Sequence, residues 1–109
     1  MPSSSRIRPN RPVRKAHMTE IKAGMLPSLR SLYRLQWEEA QQAWVLLYPE
    51  GMVRLNVPAA EILKRCDGKN DVAEVIVDLE RSFGSADLSA DVYEFLTEAE
   101  RRGWIEFAR

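Results

Sequence analysis

The stretch Leu46-Leu47-Tyr48-Pro49-Glu50-Gly51-Met52-Val53-Arg54-Leu55-Asn56-Val57 constrains this chain most. Apolar runs flank Pro49-Glu50-Gly51, so the segment reads as strand, tight turn, strand. Pro49 presets φ for the first corner of a type I turn. Gly51 suits the left-handed conformation that commonly closes a three-residue hairpin loop. The second strand, Met52–Asn56, passes directly into a helix, with Asn56 as N-cap and Pro58 tolerated in the first turn. Val53 and Leu55 are expected on the core face and Met52 and Arg54 on the other. Everything that follows is expected to pack onto this hairpin.

Upstream, Leu32 to Trp37 alternates, with Tyr33, Leu35 and Trp37 on one face, and predicts a half-buried strand. Ala43 to Tyr48 is apolar on both faces, which suits the middle strand of a small sheet. Downstream, Ala59, Ile62, Leu63 and Cys66 form the stripe of a first helix ended by Gly68. Asp71 and Glu74 resemble a capping box for a second helix carrying Val72, Val75, Ile76, Leu79 and Phe83, stopped by Gly84. Ser89 is read as the cap of a third helix, with Val92, Phe95, Leu96 and Ala99 inward and Gly103 as its stop. Trp104-Ile105-Glu106-Phe107 predicts a short closing strand. The expected fold is α+β: a three-stranded antiparallel sheet, then three helices and a short C-terminal strand, in a winged helix-turn-helix-like arrangement.

Residues 1–30 are read as a separate basic head and linker, and residues 31–109 as the domain. Residues 1–18 hold three prolines, three consecutive serines and five basic side chains, a composition that predicts disorder. Met18 offers an internal start, which would make this head dispensable. Glu20 to Ser31 reads as a linker with one helical turn at most. The zero net charge hides an asymmetry: residues 1–30 carry seven Lys/Arg against one Glu, while residues 31–107 carry eight against fifteen Asp/Glu. The folded part is therefore acidic, at −7, which argues against nucleic acid as a partner. No apolar run approaches the roughly 20 residues that span a bilayer. The basic head leads into no signal-peptide-like apolar stretch, and the single cysteine suits a reducing compartment, so a cytoplasmic location is expected.

Catalytic signals are missing at the residue level. His17 is the only histidine and Cys66 the only cysteine, too few for a zinc site of the usual type. Cys66 lies on an apolar helix face, where a buried thiol is the expected state. There is no phosphate loop or nucleophile elbow, and the paired carboxylates (Glu38–Glu39, Glu98 with Glu100) fall on polar turns and helix faces. The chain reads as non-enzymatic, with no metal or cofactor.

Binding is what the pattern supports. A sheet whose last strand has a free edge presents unpaired N–H and C=O groups with which an extended peptide can pair. Met52, Val53, Arg54 and Leu55 are the candidate strand. Tyr93, Leu96, Thr97, Glu100 and Arg101 share a broad side of the third helix and are the candidate opposite wall. An edge protected by Arg54 and covered by the protein's own tail is the alternative. A homodimer through the aromatic strands (Trp37, Trp44, Tyr48), a covering helix or the N-terminal linker would each cover the second apolar face of the middle strand.

Leu47-Tyr48-Pro49-Glu50-Gly51, Leu55-Asn56, Ala60, Ile62-Leu63 and Cys66-Asp67-Gly68 resemble the signature of the pyrroloquinoline quinone (PQQ) biosynthesis protein D family. Val72, Val75, Leu79, Phe83, Asp91-Val92, Phe95-Leu96 and Arg102-Gly103-Trp104 continue the resemblance, which covers about residues 32–107. The basic head departs from the pattern. The resemblance implies a peptide chaperone, a recognition element for ribosomally made, modified peptides, without a cofactor of its own. It implies two partners: the precursor peptide of the PQQ pathway and the radical S-adenosylmethionine enzyme that joins a Glu and a Tyr side chain within it. In related recognition domains the leader peptide adds to the third strand and lies against the third helix, which corresponds here to Met52–Leu55 and the Tyr93–Arg101 side. The alternatives are a recognition element for another modified peptide and a DNA-binding winged helix. Against the latter, the second helix carries Asp71, Glu74, Asp78 and Glu80 but only Arg81.

Overall fold

The computed structural model describes residues 20–108; the expectations for the basic head fall outside them. Strand β1 is Leu26–Leu29, β2 Arg34–Glu38, β3 Ala43–Tyr48 and β4 Gly51–Arg54. Helices α1 (Val57–Lys64), α2 (Val72–Phe83) and α3 (Ser89–Arg101) follow, and β5 (Ile105–Ala108) closes the order. β2, β3 and β4 form an antiparallel sheet in that order, and β1 pairs antiparallel with β5. The α+β fold expected from the sequence is the one observed.

The core lies between the sheet and the helices. Leu46 and Leu55 meet Ala60, Ile62 and Leu63 of α1, Val72, Val75, Ile76 and Leu79 of α2, Val92, Leu96 and Ala99 of α3, and Ile105 of β5. Burial of these side chains is the main favourable term in folding. On the outer face of β3, Val45 is fully buried between its cross-strand partners Gln36 and Arg54. The turn Glu39–Gln41 also reaches across, with Gln41 Nε2 donating to Met52 Sδ at 3.7 Å. The second apolar face of the middle strand is therefore partly covered from within the domain.

The local signals act mostly as their chemistry requires. Asn56 Oδ1 accepts from the Ala59 amide at 2.9 Å and starts α1. Asp71 and Glu74 exchange the two bonds of a capping box, each at 2.8 Å. Gly84 ends α2 at φ 65°, a conformation that costs other residues about 1–2 kcal/mol.

Several expectations are corrected. Leu26–Leu29, read as linker, is a strand, because β5 leaves ladder groups that β1 satisfies. The first sheet strand begins at Arg34 rather than Leu32, since Tyr33 N–H donates to Arg30 C=O at 3.0 Å and holds a turn there. The hairpin loop has two residues, Pro49 and Glu50, and Gly51 pairs with Tyr48 as the first residue of β4. Helix α1 stops at Lys64, and Gly68, at φ 79°, belongs to the following turn. Ser89 is inside α3, whose N-cap Leu88 has no side-chain bond; instead Leu88 N–H donates to Glu80 Oε2 at 2.9 Å. Phe83 is 41% exposed, because the chain from Arg81 to Asp87 stands clear of the core.

The turn after α1 has a structural task that its sequence did not reveal. Asp67 Oδ1 accepts from the amides of Lys69 (2.9 Å) and Asn70 (3.0 Å), and these bonds hold its carboxyl below the usual range. Gly68 N–H donates to Pro27 C=O at 2.8 Å, and Ser28 bridges to Asp67. Met25 C=O accepts from Val72 N–H at 3.0 Å. Cys66-Asp67-Gly68 is thus the seat of β1, which ties the C-terminal strand to the α1–α2 connection.

Candidate functional site: the open edge of the sheet

Among the described residues β4 pairs only with β3, so its far side is an open edge. Leu55 N–H donates to Trp44 C=O at 2.9 Å. In an antiparallel ladder, residues that exchange bonds alternate with residues that do not. With Val53 opposite Leu46 and Arg54 opposite Val45, Leu55, Val53 and Gly51 direct their backbone groups at β3. Met52 and Arg54 therefore direct theirs outward. The edge offers two N–H and two C=O groups at a spacing that an extended peptide can match.

The side chains divide differently. Leu55 is buried in the core and Val53 packs against it, whereas Met52 is 45% exposed and Arg54 is exposed. Arg54 makes no ion pair among the described residues. Four adjacent residues thus combine a core anchor with an open backbone and a free cation.

On α3 the candidate wall residues are unequal. Leu96 is fully buried, so its side chain belongs to the core. Tyr93 is half-buried against that core, and its carbonyl accepts from Thr97 Oγ1 at 2.8 Å. Arg101 is committed to Glu98, through Nε at 3.0 Å and Nη2 at 2.6 Å, and Arg102 Nε joins the same carboxylate at 2.6 Å. These two guanidinium groups pull the Glu98 carboxyl down to about 2. Glu100 is half-buried and makes no ion pair among the described residues.

The hollows beside the two groups are separate. Arg54 and Leu55 line one with Trp37, Trp44, Asn56 and Val57, and that hollow has no α3 residue in its wall. Thr97 lines another with Asp91, Glu94, Phe95, Glu98 and Arg102, without a residue of β4. Val53 and Tyr93 each pack against the one core cluster, which is the element the two groups have in common.

Sequence reasoning foresaw which side chains of β4 face the core, but not which of its backbone groups point outward, nor the aromatic hollow at its end. The first needs the register, which only the folded hairpin defines; the second was signalled by Trp37 and Trp44, which pair as cross-strand partners. Cys66 is buried, its thiol donating to Ile62 C=O at 3.3 Å, and burial followed by the nearby Asp67 pushes it up to about 12. The thiol stays protonated, as its apolar position suggested. No helix among the described residues is long and apolar enough to cross a membrane.

A small α+β domain that ends its sheet in an open strand belongs to the class that can take up a peptide by strand addition. Comparison with known proteins specifies the family. Residues 43–105 match the model of coenzyme PQQ synthesis protein D (PqqD). The chain is 48% identical over 80 residues to the PqqA binding protein of Methylococcus capsulatus, covering 73% of this chain and 86% of that one. It is 47% identical over 90 residues to the PqqA binding protein of Azotobacter vinelandii, covering 82% and 98%. Among solved structures, it is similar to the solution NMR structure of the PqqD truncation of Methylobacterium extorquens PqqCD. That protein is described as a functional, stand-alone recognition element for ribosomally synthesized and post-translationally modified peptides. The likeness has a TM-score of 0.67 at 28% identity and covers 81% of this chain and 96% of that one. The chain belongs to the PqqD family.

Proposed function

We propose that this protein is a non-catalytic peptide chaperone of PQQ biosynthesis that binds the PqqA precursor peptide by strand addition to β4. The observation that carries the reading is the open edge, with the backbone groups of Met52 and Arg54 turned outward. The relatives named as PqqA binding proteins support the choice of client. Pairing along Met52–Leu55 would order the flexible peptide, and Tyr93, Thr97, Glu100 and Arg101 of α3 would form its second wall. Leu96 supports that wall from within the core.

The held peptide is then presented to the radical S-adenosylmethionine enzyme of the pathway. Tethering raises its effective concentration at that enzyme without any new chemistry in the domain. The protein acts in the cytoplasm and needs no cofactor for this role. The test is fluorescence anisotropy of labelled PqqA peptide titrated with the full chain. Saturable binding that unlabelled PqqA displaces and a scrambled peptide does not is the expected result. Equal displacement by both peptides would overturn the assignment of the client.

A further inference from the structure

The hollow at the end of β4 has a volume of about 630 Å³, and its walls include Trp37, Trp44, Arg54, Leu55, Asn56 and Val57. Two of these expose much apolar surface: Trp37 is 42% and Val57 65% exposed. The wall is stiff. The Trp37 and Trp44 rings meet edge to face at 5.9 Å, Trp37 Nε1 donates to Glu39 Oε1 at 2.9 Å, and Lys64 Nζ lies 4.5 Å from the centre of the Trp44 ring. A preorganised aromatic surface loses little conformational freedom when something is placed on it.

Continuity with the edge strand points to what reaches this hollow. Arg54 ends the edge strand, Leu55 follows it and both line the hollow, so a peptide paired with Met52 and Arg54 runs into it within one or two residues, at about 3.3 Å per residue. Arg54, without an ion pair among the described residues, adds a cation on the outer face of the same strand end, opposite Val45. Resting on the strand-addition reading above, we propose that the bound peptide is fixed in register by one apolar side chain, aromatic or branched aliphatic, seated in this hollow. A carboxylate next to it in the peptide meets Arg54. The backbone edge alone is sequence-tolerant; the hollow makes it selective.

The experiment is an alanine scan of the PqqA peptide against the full chain and two variants, Trp37→Ala and Val57→Glu. Val57 is the exposed first residue of α1, where an acidic side chain is favoured by the helix terminus, so Val57→Glu keeps the fold. Each variant is expected to raise Kd about tenfold. One apolar peptide position is expected to cost about tenfold on the unmodified chain and almost nothing further on Val57→Glu. The indole N–H signals of Trp37 and Trp44 are expected to shift on binding. Unchanged Kd in both variants with unmoved indole signals, while the Met52 and Arg54 amides still respond, would overturn the hollow and leave strand addition standing. If those two amides do not respond either, strand addition fails and this inference fails with it.

Discussion

Leu55 N–H points at Trp44 C=O, 2.9 Å away, and that one bond sets the polarity of the whole edge strand. Because bonded and non-bonded pairs alternate, it places the backbone groups of Val53 toward β3 and those of Met52 and Arg54 toward open space. Leu55 also carries its side chain into the core. The residue that anchors the strand thereby fixes which amides a peptide can reach.

Proline substitution separates the two kinds of position. Arg54→Pro removes an outward N–H and no internal ladder bond, so the domain is expected to melt within a few degrees of the unmodified chain. Its affinity for PqqA is expected to fall about tenfold, the worth of one hydrogen bond near 1–1.5 kcal/mol. Arg54→Ala keeps the N–H and separates the side-chain part of the loss. Val53→Pro removes a bond to β3 and is expected to destabilise the fold severely. Circular dichroism melts beside a peptide titration check all three.

The seat of β1 gives a stability test remote from the edge. Gly68 sits at φ 79°, and a Cβ there would meet Ser28 Cβ at 3.5 Å, an ordinary contact. The cost of Gly68→Ala is therefore conformational, about 1–2 kcal/mol in a denaturant titration. Faster amide exchange is expected along Leu26–Leu29 and Ile105–Ala108, with peptide affinity unchanged.

Acid should act through Glu98. Its carboxyl is depressed from 4.5 to about 2 by Arg101 and Arg102, so the stabilisation it contributes is complete above its ordinary value and is lost as pH falls toward 2. Glu98→Gln is expected to flatten this part of the acid limb in melts between pH 5 and 2, while leaving stability near pH 7 lower than that of the unmodified chain.

The capping box is an internal control. Asp71→Ala leaves the Glu74 amide without its partner and is expected to cost about 1 kcal/mol of stability. No change in peptide binding is expected, since α2 forms no part of the proposed groove.

Much of the fold was legible because its signals are local. Asn56, Asp71 with Glu74, and Gly84 act through bonds within a few residues, and the stripes Ile62–Leu63 and Val72–Val75–Ile76–Leu79 point to one core. β1 was not legible, because Pro27 and the neighbouring Gly24 suggested a linker, and its partners lie far away at Ile105–Ala108 and Asp67. The short strand at Trp104–Phe107 was itself a clue, since a strand needs a partner to satisfy its ladder. At the site, alternation separated the side chains of Val53 and Arg54, but only register shows that the Arg54 amide, and not that of Val53, points outward. Leu96 was inward by its stripe and also offered as a wall residue, and it proves to be core.

Strand addition at β4 would engage two amides, and hydrogen exchange followed by NMR reports on both. In the free protein, Val53 and Leu55 should be protected and Met52 and Arg54 should exchange fast. Saturating PqqA peptide should bring Met52 and Arg54 into protection and leave the alternation otherwise intact. Fast exchange at both amides under saturating peptide would contradict strand addition at β4.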